Sequence, residues 1–192
     1  MKWIVVAIIL VIVPYTYLTL HYRKPGRAFE PYHDIKDRAN TVRLLSAGFQ
    51  RVPLVAERPA DPRRGSAGAP IFPAAGGLPA ALARPLLEKP LLPSEILSVS
   101  AAPQANRLLA YSFEFTCAVP DNHQQLGGAW LYLRDEEIFI VPDFEQLTGD
   151  LLARSRENVI RLTVPAGLVK PGRYRITLVG EQRSKAWTLE VR

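Results

Sequence analysis

Few side chains in this sequence are suited to catalysis or metal binding. The 192 residues include three histidines, His21, His33 and His123, and one cysteine, Cys117. A zinc or copper site needs three or four such ligands brought close together, and these four are far apart in the chain. No phosphate-binding glycine loop, dinucleotide fingerprint or nucleophile elbow is present. We therefore expect no catalytic residue, no cofactor, no metal and no enzyme activity.

The single cysteine lies in a pattern that predicts a strand. Every second residue from Leu109 to Val119 is large and apolar or is Cys117, and the residues between them are small or polar. This period of two is typical of a strand with one buried face. Cys117 falls on the buried face, which predicts a structural thiol and not a nucleophile, because a nucleophile needs partial exposure and a nearby base. A lone cysteine also excludes a disulfide within the chain.

The remaining C-terminal segments also alternate. Residues 160–164, 174–178 and 187–191 carry apolar side chains at every second position, and Trp130–Arg134 and Ile138–Val141 flank an acidic turn that predicts a hairpin. Lys170-Pro171-Gly172-Arg173-Tyr174 resembles the Gly-x-Tyr corner of immunoglobulin-like domains. The resemblance implies only the architecture. We predict a mainly β fold whose residues 95–192 form an immunoglobulin-like antiparallel β-sandwich.

The N-terminus predicts a membrane anchor. Trp3–Leu20 contains no charge, and about 17–25 apolar residues are enough for a helix to cross a bilayer. No small-x-small cleavage site follows, so we expect residues 1–22 to be a retained signal anchor, a single transmembrane helix. Aromatic and basic residues near its ends would contact the membrane interface, and a proline would kink it. The predicted anchoring residues are Trp3, Pro14, Tyr15, Tyr17, Tyr22, Arg23 and Lys24.

Residues 23–50 are predicted to form an amphipathic juxtamembrane segment. Ile35, Val42, Leu45 and Phe49 recur at spacings of seven, three and four, which predicts one apolar stripe on a helix over residues 34–47. Such a stripe would lie on the membrane surface or bind a neighbouring subunit. The alternative is a short helix that packs on its own domain.

Residues 51–94 predict a stalk. Nine prolines occur between positions 53 and 93, and proline disfavours both helix interiors and central strands. Several apolar residues, including Ile71 and Phe72, suggest that part of the stalk contacts a partner, and residues 80–87 could form a short helix.

The charge balance leaves the partner open. A net charge of +6 suits anionic lipid, an acidic partner or nucleic acid, and it is also what arginines scattered over solvated faces would give. Nucleic acid is disfavoured because the aromatics alternate with the arginines of the last strands and so point into the core. Five basic residues after the span favour a cytoplasmic body, whereas the stalk-and-sandwich layout favours a periplasmic or other extracytoplasmic one, which we predict.

The function hypothesis is a non-catalytic, single-span accessory or structural subunit of a larger membrane complex, with the lipid bilayer and other subunits as partners. The alternative is a membrane-tethered module that recognises a soluble ligand or polymer through sandwich loops such as Pro120–Gly128. A regulator that signals across the span would require a cytoplasmic body.

Overall fold

The computed structural model describes residues 2–22, 33–60, 68–149 and 151–192. They form two compact units, Met1–Arg38 and Ala39–Arg192. The first unit contains helix α1 (Lys2–Tyr22) and the start of helix α2 (His33–Ser46), close to the helix predicted over residues 34–47. The second contains the rest of α2, helix α3 (Ala80–Ala83) and the strands. The strands are β1 (Gln50–Glu57), β2 (Phe72–Ala75), β3 (Glu95–Ser100), β4 (Gln104–Ala105), β5 (Tyr111–Ala118), β6 (Gln124–Arg134), β7 (Glu137–Gln146), β8 (Glu157–Val164), β9 (Gly172–Leu178) and β10 (Arg183–Val191).

The predicted membrane anchor is not supported. Across the described ranges, none of the helices has both the length and the apolar character required to cross a membrane. The apolar run of α1 ends at Val13, where Pro14 begins a half rich in tyrosine and threonine. That run of eleven residues spans only about 16 Å, against a hydrocarbon core of about 30 Å. The predictions of a single transmembrane helix, a signal anchor and a single-pass membrane localisation are therefore wrong.

The strands of the second unit form one closed sheet. Around the ring the order is β10, β3, β5, β8, β1, β6, β7 and β9, and β9 pairs again with β10. Only the β7–β9 and β10–β3 pairs in this ring are parallel. The predicted immunoglobulin-like sandwich is wrong, because β9 pairs with β7 on one edge and with β10 on the other, so the described strands belong to one closed sheet instead of two packed sheets. Bulges between Ile96 and Ser98 and between Leu126 and Gly128 bend the strands, which helps a sheet to close.

The predicted alternation is confirmed in β5, β8, β9 and β10, but it does not extend to Leu109, which precedes β5 and is 66% exposed. The inward positions of four strands are all buried: Tyr111, Phe113, Phe115 and Cys117 in β5, Ile160, Leu162 and Val164 in β8, Tyr174, Ile176 and Leu178 in β9, and Trp187, Leu189 and Val191 in β10. The hairpin is confirmed as well, since Arg134 pairs with Glu137 across a two-residue turn in which Asp135 has φ +53°. Register and burial together place the main core inside the closed sheet.

The proline-rich segment is not a stalk. Its first strand, β1, lies between β8 and β6 in the closed sheet, and β2 pairs with β10. Pro53 is tolerated because residues 50–54 of β1 pair only with β6, whereas pairing with β8 begins at Val55. The missing N–H therefore falls where the strand has one neighbour. Of the predicted helix over residues 80–87, only α3 (Ala80–Ala83) forms.

A second buried cluster lies on the outer face of the sheet. Leu131, Ile138 and Ile140 point into the closed sheet, so the residues that alternate with them, Tyr132 and Phe139, point outwards. Helices α2 and α3 cover this outer face. The buried members of the cluster are Leu44, Phe49, Leu82, Leu92, Tyr132, Phe139, Val141 and Val179.

Candidate protein-docking site

The residues that would matter for metal binding or thiol chemistry are His21, His33, His123 and Cys117. Among the described residues, no group of three or more His, Cys, Asp or Glu side chains could hold a metal ion. Cys117 is fully buried, as predicted, and its Sγ lies 3.7 Å from the carbonyl oxygen of Asn158. Burial raises the pKa of the Cys117 thiol to about 12, an effect that the positive charge of Arg58 partly opposes. The thiol therefore stays protonated near neutral pH and is a structural residue.

Helix α2 is held to the outer face of the sheet by one side only. Leu44 is completely buried in the outer cluster, and Asn40, four residues earlier, is also buried. The Asn40 Oδ1 accepts a hydrogen bond of 2.7 Å from the backbone N–H of Leu87. Residues four apart share a helix face, so Asn40 and Leu44 define the packed side of α2.

The opposite side of α2 carries apolar side chains in solvent. Val42 is 63% exposed and Leu45 is 61% exposed, and the two are three residues apart on one face. Large apolar side chains are exposed elsewhere too, such as Leu108 with Leu109 and Leu151 with Leu152, so exposure alone does not mark Val42 and Leu45 as a site. We call Val42 and Leu45 the apolar stripe.

The other predicted contact residues do not join this stripe. Phe49 is 1% exposed and belongs to the outer cluster, and Ile71 is half-buried against the main core. Phe72 is 57% exposed but lies on β2, which pairs with β10 and is not one of the eight strands of the ring. Ile35 belongs to α2. Binding of a partner by the six predicted contact residues, which include Val42 and Leu45, remains a prediction.

Five of the predicted anchoring residues lie in helix α1 of the first unit. Pro14 lies inside α1, and Trp3, Tyr15 and Tyr17 are exposed along it. Tyr22 is the last residue of the helix, and Arg23 and Lys24 lie outside the described residues. The loop Pro120–Gly128, predicted to recognise a ligand, is mostly strand, because β6 begins at Gln124.

A surface hollow of about 560 Å³ opens beside the apolar stripe. Three of its lining residues are arginines: Arg43 in α2, Arg84 just after α3, and Arg134 at the end of β6. Small side chains form the rest of the wall. We call this feature the basic hollow, lined by Arg43, Ser46, Ala47, Ala81, Arg84, Pro85 and Arg134.

Two of the arginines have defined positions. The Arg43 Nη2 donates a hydrogen bond of 3.4 Å to the backbone carbonyl of Arg84, which ties α2 to the end of α3. The Arg134 guanidinium lies 4.6 Å from the ring centroid of Phe49 and 3.6 Å from the Glu137 carboxylate. A cation over an aromatic ring is attracted to its face. The hollow is therefore partly organised before anything binds.

The end of α2 explains why Arg134 reaches this position. Gly48 has φ +81°, the left-handed conformation that ends many helices, and the Phe49 N–H donates to the carbonyl of Leu44. This turn directs Phe49 into the outer cluster. A Cβ on Gly48 would lie 3.7 Å from the Arg134 Cδ, so Arg134 packs directly along the turn.

Charge and apolar surface therefore meet at one place. Arg43 and Ser46 line the hollow and are neighbours in sequence of Val42 and Leu45. We call the apolar stripe and the basic hollow together the docking surface. Val42 and Leu45 are two of the four residues in the stripe predicted from the sequence, whereas Phe49, another of the four, is buried. The hollow was not predicted, because its arginines come from three distant segments and only the fold brings them together.

Comparison with known proteins adds no relative. No protein-family model, no curated protein and no solved structure matches this chain.

Proposed function

We propose that this chain is a non-catalytic binding subunit that attaches to a partner protein through the docking surface. The partner supplies a segment that carries apolar side chains for Val42 and Leu45 and negatively charged groups for the basic hollow. The observation that supports this most directly is the exposed apolar stripe immediately beside three arginines.

Two physical arguments support a protein as the partner. Removing two large aliphatic side chains from water is favourable by about 25 cal/mol per Å², so covering the stripe stabilises a complex. Arginine is also enriched among the residues that contribute most to binding energy at protein interfaces, and its fixed fork of donors matches a carboxylate. Since Arg43 and Arg134 already have fixed contacts, less side-chain entropy is lost when they bind.

Selection from a random peptide library displayed on phage tests this proposal. The full-length chain is the bait, and we expect enriched peptides to combine acidic with aliphatic or aromatic residues. Leu45→Glu should weaken binding of a selected peptide by about tenfold or more, equivalent to about 1.4 kcal/mol. The matched control is Val55→Glu, because Val55 is also exposed, at 59%, but lies on β1.

The charge is tested by a second matched pair. Arg84→Glu should weaken the same peptide strongly, whereas Arg154→Glu makes the same change of charge at an exposed position outside the hollow. Selected peptides with no acidic residue, or equal losses in both members of each pair, would contradict the proposal.

A further inference from the structure

The lining of the basic hollow has an excess of positive charge. Arg43, Arg84 and Arg134 are its charged lining residues, and the carboxylate of Glu137 forms an ion pair with Arg134. Three guanidinium groups and one carboxylate leave a net charge of about +2. A single carboxylate from a partner would neutralise only half of it.

We infer that the basic hollow binds the phosphate monoester of a phosphorylated serine, threonine or tyrosine in the partner segment. This inference rests on the proposed function, because it names the group that occupies the hollow of the docking surface. A phosphate monoester carries a charge of about −1.5 to −2 near neutral pH and has three acceptor oxygens. It therefore matches the excess charge, which a glutamate or aspartate does not.

Hydrogen-bond geometry favours the same group. A guanidinium presents a planar set of donors that can bind phosphate oxygens in a bidentate manner. Three arginines from separate segments line the hollow, and a phosphate offers three oxygens to their donors, whereas a carboxylate has only two. Clusters of arginine are a recurrent means of recognising phosphorylated motifs.

The contacts of two arginines also suit a phosphate. Arg43 uses one Nη2 donor on the carbonyl of Arg84, which leaves the other donors of its guanidinium for a ligand. Arg134 lies over the ring of Phe49, so its plane is supported by a residue that is itself buried. Both groups are thereby held at the wall before a ligand arrives.

The test compares phenyl phosphate with benzoate, two ligands that share a ring and differ in the anionic group. Isothermal titration with the full-length chain at low salt gives both affinities, and the arginine side-chain NMR signals identify the site. We expect phenyl phosphate to bind about tenfold more tightly than benzoate and to shift the signals of Arg43, Arg84 and Arg134. Equal affinities, or shifts confined to other arginines, would overturn the inference.

Variants locate the effect. Arg84→Ala should reduce the affinity for phenyl phosphate about tenfold, and Arg84→Lys should reduce it less, because the charge remains but the planar fork is lost. Arg154→Ala, with the same loss of charge outside the hollow, should bind like the wild type. Both arginines are exposed, and a thermal melt of each variant is needed to check that it is folded. Equal losses in Arg84→Ala and Arg154→Ala would show nonspecific attraction and would overturn the inference.

The two proposals can fail separately. If phenyl phosphate binds no better than benzoate but selected acidic peptides still depend on Leu45 and Arg84, then the phosphate inference fails and the docking function stands. If phenyl phosphate binds through the three arginines but Leu45→Glu has no effect on any selected peptide, then the hollow is a phosphate site and the proposed docking function fails.

Discussion

Adjacent leucines of α2 give a sharp test of which side of this helix is packed. Leu44 is completely buried in the outer cluster, and Leu45 is 61% exposed. We expect Leu44→Ala to reduce the free energy of unfolding by about 2–5 kcal/mol, the range for a buried leucine that leaves a cavity. Leu45 keeps only about two-fifths of its surface covered, and full burial of leucine is worth about 1.5–3 kcal/mol, so Leu45→Ala should cost about 1 kcal/mol or less.

The comparison is controlled by its design. Both variants make the same chemical change in the same helix, so the gain in helix propensity from alanine is nearly equal and cancels. Urea denaturation followed by tryptophan fluorescence and far-UV circular dichroism measures the losses, with the slope checked for two-state behaviour. Losses of equal size, or a larger loss for Leu45→Ala, would mean that the exposed stripe is a packed face and that the docking surface is misplaced.

Three further predictions concern the closed sheet and its outer face. Leu178→Ala, at a fully buried inward position, should reduce the free energy of unfolding measured with urea by about 2–5 kcal/mol. Thr177→Ala, on the half-buried outer side, should reduce it by much less. Similar small losses in both variants would contradict the register of β9. Cys117 should not react with a thiol reagent at pH 8 in the folded chain and should react fully in guanidinium, because its pKa is about 12 and its side chain is buried; rapid labelling of the folded chain would refute this. Burial raises the pKa of Asp143, with Glu145 adding to the effect and the Leu91 backbone, Arg51 and Trp130 opposing it, so protonation of Asp143 favours the folded state. The stability that this protonation contributes is full below the unfolded-state pKa of about 3.9 and is lost as the pH rises through the folded-state pKa of Asp143. Asp143→Asn should therefore become more stable relative to the wild type as the pH rises through that range. A difference in denaturation midpoints that does not change with pH would contradict this.

The individual strands were predictable because their signal is local. The alternation in residues 111–118 and 160–164 marks one buried face for each strand, and β5 and β8 bury those positions. The closure of the sheet was not predictable in this way. A strand in a sandwich and a strand in a closed sheet have the same period of two, and the pairings that close the ring, such as Arg183 with Glu95, join distant segments.

The packed side of α2 shows a similar limit. Leu44 and Leu45 are neighbours in sequence, so two overlapping stripes can be drawn on the same helix, and the sequence favoured the one through Val42 and Leu45. The sheet selects Leu44, because Tyr132 and Phe139 lie beneath it in the outer cluster. The stalk predicted from the proline content of residues 51–94 failed for a related reason. Pro53 removes a hydrogen-bond donor only where β1 has a single neighbouring strand, so the sheet tolerates it.

Binding at the docking surface can be observed directly in an NMR titration of the full-length chain with one library-selected peptide that carries acidic and apolar residues. We expect the methyl signals of Val42 and Leu45 and the guanidinium signals of Arg43, Arg84 and Arg134 to shift together and to saturate at one peptide per chain. Val55 and Arg154, exposed outside the docking surface, should not shift. Saturable shifts at Val55 or Arg154 with none at Val42 and Leu45 would contradict binding at the docking surface.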